Sequence, residues 1–166
     1  MTTFLTTPRT RTTSRLSTTW RRAASAGVAA LAFAALTACG TDLMHTINST
    51  EPVTITTLSG TTMTVPGDKP TAMFYFSVGC GECVGGAKSL AQAAERLGDK
   101  ADFVLVDMDP GESAQIVSGF QDFTGTKDVP AVIDTGATLT KRYSVASLST
   151  LIVVDPAGKV TYRAKD

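Results

Sequence analysis

The spacing of apolar and polar positions changes several times along the chain, and each change marks an element. Residues 53–57 alternate, Leu58, Ser59, Gly60 and Thr61 interrupt, and residues 62–65 alternate again, which predicts a hairpin. A Pro- and Gly-rich loop at 66–70 leads to an unbroken apolar run at 72–76, of the length and character of a strand covered on both faces. Val84, Ala87, Leu90, Ala91, Ala94 and Leu97 then recur at helical spacing as far as Gly98. Residues 103–106 read as a second buried strand. Asp109, Pro110 and Glu112 carry the pattern of a helix start, with an N-cap acid, a proline at the first helical position and a glutamate at the third. Ile116, Val117, Phe120 and Phe123 supply that helix with an apolar face. A short strand at 131–133, a helical piece carrying Leu139 and Tyr143, and a closing hairpin (strands 151–154 and 159–163 around a turn at 155–158) complete the pattern. Strands alternating with helices before a final hairpin predict an α/β fold: a mixed central sheet with helices on both faces, preceded by the N-terminal hairpin. No internal repeat or second domain is apparent.

The first 52 residues follow different rules. Residues 1–22 hold Arg9, Arg11, Arg15, Arg21 and Arg22 and no acid, and an alanine-rich apolar run follows at 23–36. A basic start, an apolar run too short to span a bilayer comfortably and a small-residue site read as an export signal; an uncleaved membrane anchor is the alternative. The site itself, Leu36-Thr37-Ala38-Cys39, resembles a bacterial lipobox, whose cysteine is acylated and becomes the new first residue. The expected division is therefore 1–38 as a removed signal, 39–52 as a lipid-anchored flexible tether that includes a solvated His45, and 53–166 as the folded domain. Arg21-Arg22 fits the twin-arginine export pattern poorly, given Trp20 before it and Ala24-Ser25 after it. The expected location is extracytoplasmic, on the bacterial cell membrane.

Loss of the five signal arginines changes the electrostatics. The whole chain has 15 Lys and Arg against 15 Asp and Glu; after cleavage 10 remain against 15, a net charge of −5. No basic surface is left to follow phosphates, so nucleic acid is not an expected partner.

Of three cysteines, one is assigned to lipid and two remain, Cys80 and Cys83 in FSVGCGECVGG at 76–86. A structural zinc site needs four ligands, which this pair and one tether histidine do not provide. A static staple closing so short a loop constrains the unfolded chain little. In an exported protein, a working redox pair is the reading the chemistry favours.

A Cys-x-x-Cys between a buried strand and a helix resembles the thioredoxin-fold oxidoreductases, specifically the membrane-tethered TlpA/ResA type. A second anchor is YSVASLSTLIVVDPAG at 143–158, similar to the family's segment leading into a strand that ends Asp-x-x-Gly. The chain departs from the family at three places. Gly79 stands where a tryptophan is usual, Gly86 and Lys88 where a glutamate and a proline are common, and Ser149 where the family has its cis-proline. Pro130 matches a preceding strand and does not take the cis-proline role. Because a cis bond before a non-proline residue costs about 2.5–4 kcal/mol, the Leu148–Ser149 peptide is expected to be trans.

The resemblance implies roles that the chemistry also supports. Cys80 at the helix N-terminus is the expected nucleophile, and Cys83, one turn in and more buried, the resolving thiol. Glu82 has two readings: a negative charge that disfavours the Cys80 thiolate and makes the pair more reducing, or an acid favoured at a helix start by the dipole alone. The function implied is reduction or exchange of disulfides in exported proteins, with a membrane or extracytoplasmic dithiol as electron donor and no cofactor. Two other classes stand beside it. One is a non-catalytic binding or metal-handling lipoprotein, motivated by Ser149 and the missing aromatic, in which two thiolates hold a soft ion. The other is a thiol peroxidase, although residues that usually assist peroxide are not apparent.

Overall fold

The computed structural model describes residues 51–165; the expected export signal, Cys39, His45 and the expected tether up to residue 50 lie outside them. Two strands, β1 (Val53–Thr56) and β2 (Thr62–Val65), pair antiparallel as the expected hairpin. A five-stranded mixed sheet follows, built from β3 (Thr71–Phe76), β4 (Asp102–Asp107), β5 (Ala131–Ile133), β6 (Thr150–Val154) and β7 (Val160–Lys165). Its order is β5-β4-β3-β6-β7. β3 runs parallel to β4 and antiparallel to β6, so the strand feeding the cysteines is central, buried at all six positions. That burial explains its unbroken apolar run.

The period of two along β3 and β4 divides the core. Met73, Tyr75, Val104 and Val106 face one side, with Ile55 and Val65 of the hairpin and Leu139 of the short helix α3 (Thr138–Arg142). Ala72, Phe74, Phe76, Phe103 and Leu105 face the other, against Cys83, Ala87 and Leu90 of α1 (Cys83–Leu97) and Val117 and Phe120 of α2 (Ala114–Thr124). Helices therefore cover both faces, as the pattern predicts. Gly98, with φ 51°, ends α1, and Phe76 stacks on Phe120 at 4.7 Å between ring centroids, joining β3 to α2.

Two expectations about α2 are corrected. The helix begins at Ala114 with Ser113 as N-cap, whose hydroxyl accepts the Ile116 N–H at 3.3 Å, not at Asp109. Asp109 and Glu112 belong to a turn before it, in which Asp109 accepts the Gly111 N–H at 2.8 Å and Glu112 is drawn toward the cysteine loop. The apolar face is also turned: Val117, Phe120, Gln121 and Thr124 are buried, while Ile116 and Phe123 are exposed. The loop after the helix requires this. Gln121 donates to the Thr126 and Val129 carbonyls (3.1 and 2.8 Å), satisfying backbone that enters β5.

Candidate redox site

The central strand ends at Phe76, and seven residues later α1 begins. Three turn bonds fold the intervening loop: Cys80 N–H to the Ser77 carbonyl (3.0 Å), Cys83 N–H to the Cys80 carbonyl (3.1 Å), and Val84 N–H to the Gly81 carbonyl (3.4 Å). The α-helix starts at Cys83, so Cys80 sits in the turn that precedes it and not within the first helical turn. A disulfide joins the two cysteines across a Cα–Cα distance of 5.3 Å. Cys83 is fully buried in the core beneath α1, whereas Cys80 is partly exposed. Of the two cysteines, Cys80 is the one that solvent reaches.

Glu82 occupies the residue before α1, is exposed, and makes no side-chain bond to the helix backbone. Gly79 is exposed beside Cys80, and nothing lies closer to its missing Cβ than the Ser77 hydroxyl at 4.0 Å. Gly86 has a definite cause. A Cβ there would lie 2.2 Å from the Phe74 ring, so α1 approaches β3 too closely for any side chain.

Ser149 lies immediately before β6 and is buried. Its N–H donates to the carbonyl of Tyr75 on β3 at 2.9 Å, and its φ of 57° puts a non-glycine residue in the left-handed region. The Leu148–Ser149 peptide is trans; among the described residues the cis bond is Val65–Pro66. Leu148 and Cys80 each pack against the core cluster that α1 covers. Ser149 also lines, with Phe74, Gly86 and Leu151, an apolar groove of about 320 Å³. Cys80, Cys83 and the Leu148–Ser149 segment are thus gathered around the end of β3, while Glu82 faces solvent.

Two acids to which the sequence reading gave no part in the site complete the surroundings. Glu112 receives the Ser77 hydroxyl at 2.8 Å, and the Val78 N–H donates to both of its carboxylate oxygens at 3.0 and 3.1 Å. Asp107, the last residue of β4, is fully buried; its Oδ1 accepts the Asp109 N–H and its Oδ2 has no partner. Burial, with Glu112 and Asp109 nearby, pushes its carboxyl up to about 7. The available signal was three acids within six residues after a buried strand, but the helix-start pattern absorbed two of them.

Comparison with known proteins agrees with this geometry. A family model described as thioredoxin-like matches residues 67–160. A curated protein of Streptomyces lividans, "Mercury resistance operon ORF3", is 60% identical over 116 residues, covering 68% of this chain; the chain spans 61% of that protein's length. Among solved structures, StoA from Bacillus subtilis superposes with a TM-score of 0.63 at 18% identity, covering 70% of this chain and 89% of StoA. A secreted Mycobacterium tuberculosis disulfide oxidoreductase homologous to DsbE of E. coli gives 0.58 at 21% identity, covering 69% and 83%.

Proposed function

The chain belongs to the thioredoxin-like family, and from that premise we propose that it is a thiol–disulfide oxidoreductase tethered outside the cytoplasm by lipid on Cys39. The observation carrying this reading is the disulfide-bonded pair itself, with Cys80 partly exposed and Cys83 buried beyond the end of the central strand. In the reducing direction the Cys80 thiolate attacks a substrate disulfide and one substrate sulfur leaves as thiolate. Cys83 then attacks the mixed disulfide, releasing the second substrate thiol and re-forming the Cys80–Cys83 bond. Two electrons pass to the substrate, and an extracytoplasmic dithiol restores them. Exported proteins are the substrate class, and Glu82 is the negative charge that favours the reducing direction.

The test is trapping. Cys83→Ser should accumulate mixed disulfides through Cys80, and Cys80→Ser almost none, read on non-reducing gels with an exported disulfide substrate; equal trapping by both variants overturns the assignment. For the anchor, Cys39→Ala should move the protein from the membrane fraction to the soluble one while insulin reduction by the soluble protein is retained. Unchanged partition, with the signal uncut, favours the plain-anchor alternative.

A second reading has its own support, the 60% identity to a product of a mercury resistance operon. In this reading the reduced pair takes a soft, low-coordinate ion such as Hg(II) as cargo, for which two thiolates are suitable ligands. Adding one equivalent of Hg(II) to the reduced protein should then protect both cysteines from alkylation, with Cys80→Ser and Cys83→Ser each losing the tight site. Insulin reduction without such protection supports the redox reading alone.

A further inference from the structure

The parallel pairing of β3 with β4 ends at Phe76 and Asp107, and Met108 carries it one bond further by donating its N–H to the Phe76 carbonyl at 2.8 Å. Residues 77–82 lie outside the sheet, and there a side chain takes over from the strand. Glu112 Oε1 accepts the Ser77 hydroxyl at 2.8 Å and the Val78 N–H at 3.0 Å, and Oε2 lies 3.1 Å from the same N–H. A carboxylate acceptor makes the stronger class of hydrogen bond. Glu112 is itself fixed, since its N–H donates to the Asp109 carbonyl at 3.2 Å and the Asp109 N–H donates to Asp107 Oδ1 at 3.0 Å. The Ser77 carbonyl in turn accepts the Cys80 N–H at 3.0 Å, so the residue that Glu112 grips also bonds Cys80. The remainder of the loop brings no packing of its own. Gly79 and Gly81 carry no side chain, nothing lies within 4 Å of a Cβ built at 81, and Glu82 is exposed.

We propose that Glu112 is a positioning residue that sets the redox equilibrium of the cysteine pair by holding the upstream end of the loop. The downstream end is held by α1, of which Cys83 is the first residue and is fully buried. With both ends fixed, Cys80 stays within reach of Cys83 after reduction, and closing the disulfide requires little further ordering. In exchange with glutathione, the protein dithiol passes two electrons and two protons to oxidised glutathione, forming the Cys80–Cys83 bond and two glutathione thiols. A held loop favours the closed side of that exchange and makes the pair a stronger reductant. Without Glu112, residues 77–81 gain freedom in the dithiol that the disulfide must take away, and the pair becomes more oxidising. Glu82 acts on the same pair by charge, whereas Glu112 acts through its bonds to Ser77 and Val78. The effect on the cysteines rests on the redox reading above; the hold on Ser77 and Val78 does not.

Two measurements on the full chain separate the hold from its consequence. In the disulfide form, Glu112→Ala should speed hydrogen exchange of the Val78 amide at least about tenfold. Glu112→Gln, whose amide oxygen still accepts both donors, should stay within about threefold of wild type. Unchanged Val78 exchange in Glu112→Ala overturns the hold. The equilibrium constant for disulfide formation with glutathione should fall at least about threefold in Glu112→Ala and return to within about twofold of wild type in Glu112→Gln. Equal falls in the two variants overturn positioning and assign the effect to the carboxylate's charge. No fall in either overturns the coupling. Ser77→Ala removes one bond and leaves the carboxylate in place, so it should move both measurements in the same direction by a smaller factor. It decides the matter if Glu112→Ala does not fold, because a Ser77→Ala chain identical to wild type in both overturns the proposal. A wild-type chain that does not exchange with glutathione at all overturns the redox reading and the coupling together, while Val78 exchange still decides the hold.

Discussion

Ser149 shows how one residue sets the geometry of the loop beside the cysteines. In the related family a proline at this point presents backbone beside the disulfide; here a trans peptide and a left-handed φ bring the Ser149 N–H onto the Tyr75 carbonyl. A proline has no N–H and locks φ near −65°, so it conflicts with this geometry twice. Ser149→Pro should therefore cost about 3 kcal/mol or more, and insulin reduction should fall with it. Ser149→Gly relieves the left-handed strain but loosens the unfolded chain, and these terms are of similar size. Its stability should stay within about 1 kcal/mol of wild type. Urea unfolding of both variants checks the pair. A proline variant as stable as wild type contradicts the strand-anchored Ser149.

Among elements, α1 makes the clearest case, because two adjacent glycines in it answer to different forces. Gly85 is exposed with nothing within 4 Å of a built Cβ, whereas Gly86 lies against the buried Phe74 ring. Gly85→Ala should stabilise by roughly 0.5–1 kcal/mol through helix propensity. Gly86→Ala should destabilise by about 1–3 kcal/mol, because a Cβ 2.2 Å from the Phe74 ring forces that buried ring out of its packed position. Thermal unfolding of the two single variants should give shifts of opposite sign. Sequence alone reveals the helix but not this difference, since both positions read as glycine in a helical period. The same limit appears in α2. Its existence follows from the apolar spacing, yet Ile116 and Phe123 face solvent because Gln121 and Thr124 are needed inside, where both bond Thr126 of the following loop. The succession of strands along the chain and the cysteine loop between β3 and α1 were legible, because long apolar runs and a Cys-x-x-Cys need no partner to be read. Glu112 was not: its role depends on Ser77 and Val78, some 34 residues away, and no local period encodes that pairing.

For the molecule as a whole, the buried carboxyl of Asp107 makes stability depend on pH in an unusual direction. Most acids in folded proteins gain partners, their pKa falls, and stability drops on acidification. Asp107 does the reverse: burial first, then the neighbouring acids, raise it from 3.8 to about 7. Between those values the folded state holds a proton that the unfolded state has released. Stability from this group therefore falls as pH rises from about 4 to about 7, and its full cost is present above pH 7. A displacement of about three units corresponds to an upper bound on the order of 4 kcal/mol. Asparagine at 107 keeps an acceptor for the Asp109 N–H and cannot ionise, so the pH-dependent term disappears. Asp107→Asn should match wild type most closely near pH 4 and exceed its stability by a few kcal/mol at pH 8. Guanidinium unfolding at pH 4, 6 and 8 measures the difference directly. A gap between variant and wild type that stays constant across this range means that Asp107 carries the same charge in the folded and unfolded chains, and the proton assigned to it is absent.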